Sequence, residues 1–139
     1  MKVVIMDAQG GGVGRMFVEQ MKKALPQQPL IAIGTNAAAT AAMRKAGADQ
    51  AATGENAVCV TAAAADLILA PIGMLIANAM LGEVTPRMAA AVGSARAHKI
   101  LIPATRCGAQ IVGVADLPLA DYITLAAQSA VQYIQERDS

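Results

Sequence analysis

Residues 3–6, VVIM, form an unbroken apolar run closed by Asp7, with no polar residue alternating through it. A strand of that kind is buried on both faces, and a sheet covered on both faces is a parallel one with helices as its crossovers. The next residues agree. AQGGGVGRMF (8–17) places glycines at a turn and opens a helical stripe at Val13, Met16, Phe17, Met21 and Leu25, stopped by Pro26 and Pro29.

The same alternation continues along the chain. Strands are expected at Leu30–Ile33, Gln50–Thr53, Leu67–Ala70 and Ile100–Ile102. Between them fall helices at Asn36–Ala46, Glu55–Ala64 (where Val58-Cys59-Val60 also allows a strand) and from Thr85 to Gly93, the last with Thr85 as N-cap and Pro86 at the first helical position. The almost wholly apolar stretch Met74–Leu81 reads as a further helix, and Leu119–Ile134 as a closing amphipathic one. Too few residues separate Ile100–Ile102 from Gln110–Val114 for a parallel crossover, so that pair is expected to be an antiparallel hairpin. The expectation is one α/β domain over residues 1–139: a Rossmann-like three-layer sandwich, sheet order 3-2-1-4-5, with an antiparallel C-terminal edge strand.

Composition narrows the function. A net charge of +1 offers no basic face, and one Phe, two Tyr and no Trp leave little for base stacking, so nucleic acid is not an expected partner. The most apolar window, 67–81, is interrupted by Pro71, Gly73 and Asn78 and is too short for a membrane span. Cys59 and Cys107 have neither metal-ligand spacing nor the pattern of a disulfide scaffold, no metal is expected, and no signal peptide is read at the N-terminus. A cytoplasmic location follows as an expectation. A helix over 72–81 that is apolar on all sides must be buried in the domain or against a second copy of the chain, which suggests a homo-oligomer. Asn78 would then reach across the interface or into the ligand crevice.

The glycine run has two readings. It is either a phosphate cradle, in which Gly10, Gly11, Gly12, Val13 and Gly14 bring free amides and a helix start to an anion, or only a tight turn. The G-x-G-x-x-G fingerprint is met incompletely: Gly10 and Gly12 fit one register, whose third place falls on Arg15, and Gly11 and Gly14 fit the other, whose first place falls on Gln9. Arg15 itself opposes the helix dipole unless it meets an anion, and Glu19 is the nearest acid along the helix. The acid that holds an adenosine ribose at the end of strand two is replaced by Gly34-Thr35-Asn36, which favours NADP over NAD, or another nucleotide; equally, Thr35 or Asn36 can simply cap the next helix.

Polar and glycine residues gather in the loops that leave the carboxyl ends of the strands, where open α/β sheets bind ligands. Asp7, Gln9, Thr35, Asn36, Thr53, Gly54, Asn56, Pro71 and Gly73 are the expected lining of one crevice for a small phosphorylated ligand. Three residues there are candidates for catalysis, each with a plainer role. Glu55 is a general base or a dipole partner of its helix; Arg106 is a phosphate clamp or an exposed turn residue; Cys107 is an activated thiol or a filler. His98 lies at the opposite end of the sheet. The functional expectation is a nucleotide- or dinucleotide-binding protein, with a non-catalytic sensor or assembly subunit as the alternative.

The blocks DAQGGGVG (7–14), GTNAAAT (34–40), ATGENAV (52–58), PIGMLIANAMLGEVTP (71–86) and ILIPATRC (100–107) together resemble a family of small bacterial Rossmann-like proteins catalogued as a domain of unknown function. The resemblance covers nearly the whole chain and implies the fold but no reaction. The chain departs from the family pattern at Ala8, where glycine is usual, and at Thr105, where asparagine is common.

Overall fold

The computed structural model describes residues 1–103 and 108–138. Five parallel strands form one sheet: β1 (Val3–Asp7), β2 (Leu30–Gly34), β3 (Gln50–Thr53), β4 (Leu67–Pro71) and β5 (His98–Ile102), in the order β3-β2-β1-β4-β5. Helices α1 (Gly12–Ala24), α2 (Ala37–Lys45), α3 (Glu55–Ala64), α4 (Pro86–Ser94) and α5 (Leu119–Asp138) connect and follow them.

The central strands show why the apolar run had to lie in the middle. Val3 and Ile5 of β1 with Leu67 and Leu69 of β4 face a core closed by Phe17, Met21, Met43 and Ile123 from α1, α2 and α5. The alternate residues Val4, Met6, Ile68 and Ala70 face a second core closed by Val58, Met88 and Val92 from α3 and α4. Side chains alternate across a strand, so an unbroken apolar run feeds both cores at once. Because β2 and β3 lie to one side of β1, and β4 and β5 to the other, the order of strand addition reverses between the parallel strands β1 and β4, and the loops leaving those strands diverge there. Among the described residues no helix is long and apolar enough to cross a membrane.

Two expectations are corrected. No antiparallel edge strand forms among the described residues: Gln110–Val114 belongs to an irregular, exposed connection leading to α5. Gly113 stands at φ 84, a left-handed turn that interrupts any extended run through Ile111, Val112 and Val114. Nor is 74–81 a helix. A single 3-10 turn, Ile72–Leu75, is followed by tight turns in which Asn78, Met80 and Leu81 have φ of 67, 56 and 58. The apolar content is used inside the chain, since Met74, Ala79 and Val84 are buried in the second core. The turns bring the chain back toward β1 and β2.

Candidate functional site

Asp7 ends β1 at the carboxyl edge of the sheet, and its side chain is 4% exposed. The next residues turn at once. Gln9 and Gly11 are left-handed, at φ 49 and 75, and the Gly11 amide donates back to the Ala8 carbonyl at 3.0 Å. Gly11 is the N-cap of α1 and offers no side chain to the orphan amides of the first turn. Asp7 takes that role from upstream. One carboxylate oxygen accepts the Gly14 amide at 2.7 Å and the other the Ala8 amide at 2.8 Å. Burial pushes the Asp7 carboxyl above its ordinary range, against the pull of the Gly14, Ala8 and Val13 amides; the nearby charge of Glu83 adds to the rise.

The glycines of the run divide into two kinds. A Cβ on Gly11 would lie 2.8 Å from the Cα of Ala39, and one on Gly14 would lie 2.9 Å from the Cβ of Asp7. Those two let α1 approach α2 and β1 closely. Gly10 and Gly12 are different: nothing lies within 4 Å of a Cβ built on either. Their N–H groups meet no acceptor among the described residues. The run is thus partly a tight turn and partly an open pair of donors.

These donors belong to residues that line a cleft of 410 Å³ between the carboxyl ends of β1, β4 and β5. Asp7 and the loop Ala8–Val13 form one side. Pro71 and Gly73 follow from β4, and Met80, Pro103, Leu117, Leu119 and Tyr122 complete an apolar wall. The size lies within the usual range of small-molecule pockets, and so does the mixture of an apolar lining with a few polar groups.

Beside the cleft, toward β2, a second cluster is closed. Glu83, in the turn before α4, directs one carboxylate oxygen at the Gln9 amide (2.7 Å), the Thr35 hydroxyl and the Asn36 side-chain amide. Asn36 also donates to the Gln9 carbonyl at 2.9 Å, while its own oxygen caps α2 by accepting the Ala39 amide at 2.9 Å. Partial burial alone would raise the Glu83 carboxyl; the hydrogen bonds from Thr35, Gln9 and Asn36 outweigh it and hold the group below its usual range.

A family model described as Domain of unknown function (DUF3842) matches residues 2–135. The chain belongs to that family. No curated protein and no solved structure matches it.

In this DUF3842 chain, Asp7, Gln9, Gly10, Gly11, Gly12, Val13, Pro71 and Gly73 all line the cleft. Gly14 serves Asp7 from within the fold. Arg15 turns away, pairing with Glu19 one helical turn on at 2.8 Å in a half-exposed surface contact. Thr35 and Asn36 face Glu83 and do not line the cleft. Thr53 pairs with Thr40 at 2.7 Å, Gly54 caps α3 at φ 106, and Asn56 is exposed on that helix. Glu55 meets Arg87 of α4 at 3.4 Å and is not part of the cleft lining. Thr105, Arg106 and Cys107 lie outside the described residues. His98 stacks on Tyr133, with ring centroids 4.3 Å apart, at the amino end of β5.

Sequence reasoning misses Glu83, Met80, Leu119 and Tyr122. A continuous helix over 74–81 hides the first two, because it leaves Glu83 as a mere connection. The available signal was an acid in a loop leaving the carboxyl end of a central strand. Leu119 and Tyr122 read as core positions of α5, yet the first turn of that helix lies at the same edge of the sheet.

Proposed function

We propose that this protein binds a small phosphorylated ligand of nucleotide type in the cleft at the reversal point between β1 and β4, in a Rossmann-like manner. The observation that carries the reading is the pair of unused amides on Gly10 and Gly12, with no side chain beside either, at the polar side of a cleft otherwise apolar. The phosphate meets the two amides. The ring of the ligand lies against Pro71, Met80, Leu119 and Tyr122. A ligand of one nucleotide unit suits a 410 Å³ space.

NAD and NADP are the second reading. Either dinucleotide needs the β2 side of the crevice, where Thr35 and Asn36 already hold Glu83. A 2′-phosphate brought there would meet a carboxylate, so the neutral end of β2 no longer argues for NADP over NAD. Asp7 is the one carboxylate lining the described cleft, and both its oxygens are engaged by backbone amides. That arrangement favours binding or sensing over acid–base catalysis.

The test is a thermal-shift panel of AMP, GMP, FMN, NAD and NADP on the full chain and on Gly12→Ala. A ligand at a hundredfold excess over its Kd stabilises by about 2.7 kcal/mol, which raises Tm by several degrees. A shift with a mononucleotide that shrinks in Gly12→Ala is the expected result. No shift with any of the five at millimolar concentration overturns the reading.

A further inference from the structure

Glu83 does what a bound anion would do. Its one oxygen collects three donors from two different loops: the Gln9 amide of the β1–α1 turn, the Thr35 hydroxyl at the end of β2, and the Asn36 side-chain amide. None of the three donors is cationic. Among the described residues the Thr35 hydroxyl has no other partner, and neither has the Gln9 amide. This cluster adjoins the open cleft directly, because Gln9 belongs to both and Gly10 follows it. Consecutive Cα atoms are about 3.8 Å apart, a spacing that neighbouring groups of one diphosphate can span.

The segment carrying Glu83 reaches the loops after β1 and β2 by hydrogen bonds from that side chain. Its backbone hydrogen bonds close on themselves: Asn78 to Val84, Gly82 to Asn78, Glu83 to Met80 and Val84 to Ala79. Ala79 and Val84 anchor its two ends in the core, while Leu81 between them is wholly exposed. Releasing the carboxylate therefore needs rotation of one part-exposed side chain and leaves the core intact.

We propose that Glu83 is an exchangeable internal occupant of a second anion site formed by Gln9, Thr35 and Asn36, and that a ligand carrying a diphosphate displaces it. The cleft then receives one phosphate at Gly10 and Gly12 and the second at the vacated donors. This extends the nucleotide reading to diphosphates and makes Glu83 a competitor that sets the threshold for binding. It rests on that reading for the first phosphate only.

The test follows backbone and side-chain amide resonances of the full chain while inorganic pyrophosphate and, separately, ADP are added. Displacement moves the Gln9 amide and the Asn36 side-chain amide. Occupation of the first site moves Gly10 and Gly12, so the two readings fail separately. Glu83→Ala is expected to bind at least one probe ten-fold or more tighter than the natural chain, and adding Thr35→Val should remove the gain. A gain with both probes assigns a nucleoside diphosphate; a gain with pyrophosphate alone assigns the free anion. Glu83→Gln, which keeps the volume and removes the charge, replaces the alanine variant if that one does not fold. Unmoved Gln9 and Asn36 signals, an unchanged affinity in a folded Glu83 variant, or a gain that survives Thr35→Val overturns the proposal.

Discussion

The carboxylate of Asp7 accepts the backbone amide of Gly14 at 2.7 Å, seven residues further along the chain. A side chain from the end of a strand thereby caps the helix that follows the turn, in place of the absent side chain at Gly11. The contact places a buried negative charge at the positive end of α1, where a bound anion would otherwise be the stabilising partner. A ligand phosphate is left with the outer amides of Gly10 and Gly12.

Asp7→Ala is expected to destabilise the fold by about 1.5–3 kcal/mol, since it removes charged hydrogen bonds and leaves buried amides unpaired. Asp7→Asn does not restore stability, because its amide group must oppose one of the two N–H donors. Urea unfolding measures both. A loss under about 0.5 kcal/mol, the usual scale of surface substitutions, would show that water replaces the cap.

Neighbouring glycines should respond in opposite ways. Gly11→Ala forces a Cβ to 2.8 Å from the Ala39 backbone at φ 75, and about 2–4 kcal/mol of stability is lost to overpacking and left-handed strain. Gly12→Ala has open space and lies in the first turn of α1, so its stability stays within about 1 kcal/mol of the natural chain. Denaturation of both variants, read beside nucleotide binding, separates the packing glycine from the donor glycine.

The two carboxylates of the site pull stability in opposite directions with pH. Glu83 has its folded pKa lowered by Thr35, Gln9 and Asn36 despite burial. Its contribution is present above the unfolded value, about 4.3, and is lost as pH falls through the lower folded value. Asp7 has its folded pKa raised, chiefly by burial. Its contribution is complete below the unfolded value, about 3.9, and is lost as pH rises through the folded one. Between pH 7 and 3, the stability difference between the natural chain and Glu83→Gln should therefore shrink on acidification, as followed by urea midpoints. A difference that grows reverses the assignment.

Asn36 joins two functions that substitution can part. Asn36→Ala loses the cap of α2, worth about 1 kcal/mol, together with its hold on Glu83. Asn36→Asp keeps an acceptor for the Ala39 amide but sets a second carboxylate against Glu83. Hydrogen exchange should then quicken at Asn78–Val84 while α2 remains protected. Equal protection of both segments in Asn36→Asp would mean that Glu83 does not hold the turn.

The alternation of apolar runs and helical stripes was enough to establish α/β order, a parallel core and the outer helices. Thr85 before Pro86 and the stripe of α1 act locally, through capping and periodicity, and these are legible along one chain. Local signals misread 74–81, where apolar content matches a helix but Asn78, Met80 and Leu81 adopt left-handed turns that bury Ala79 and Val84. They also misread Gln110–Val114, where a turn at Gly113 interrupts an apolar run. The partners of Glu83 could come only from the assembled molecule. Which amide a carboxylate reaches depends on how β1, β2 and the turn before α4 converge in space, and Glu83 lies 74 residues from Gln9 in the chain. Strand order and crossover direction bring such residues together, so the open amides and the closed ones were decided by tertiary packing.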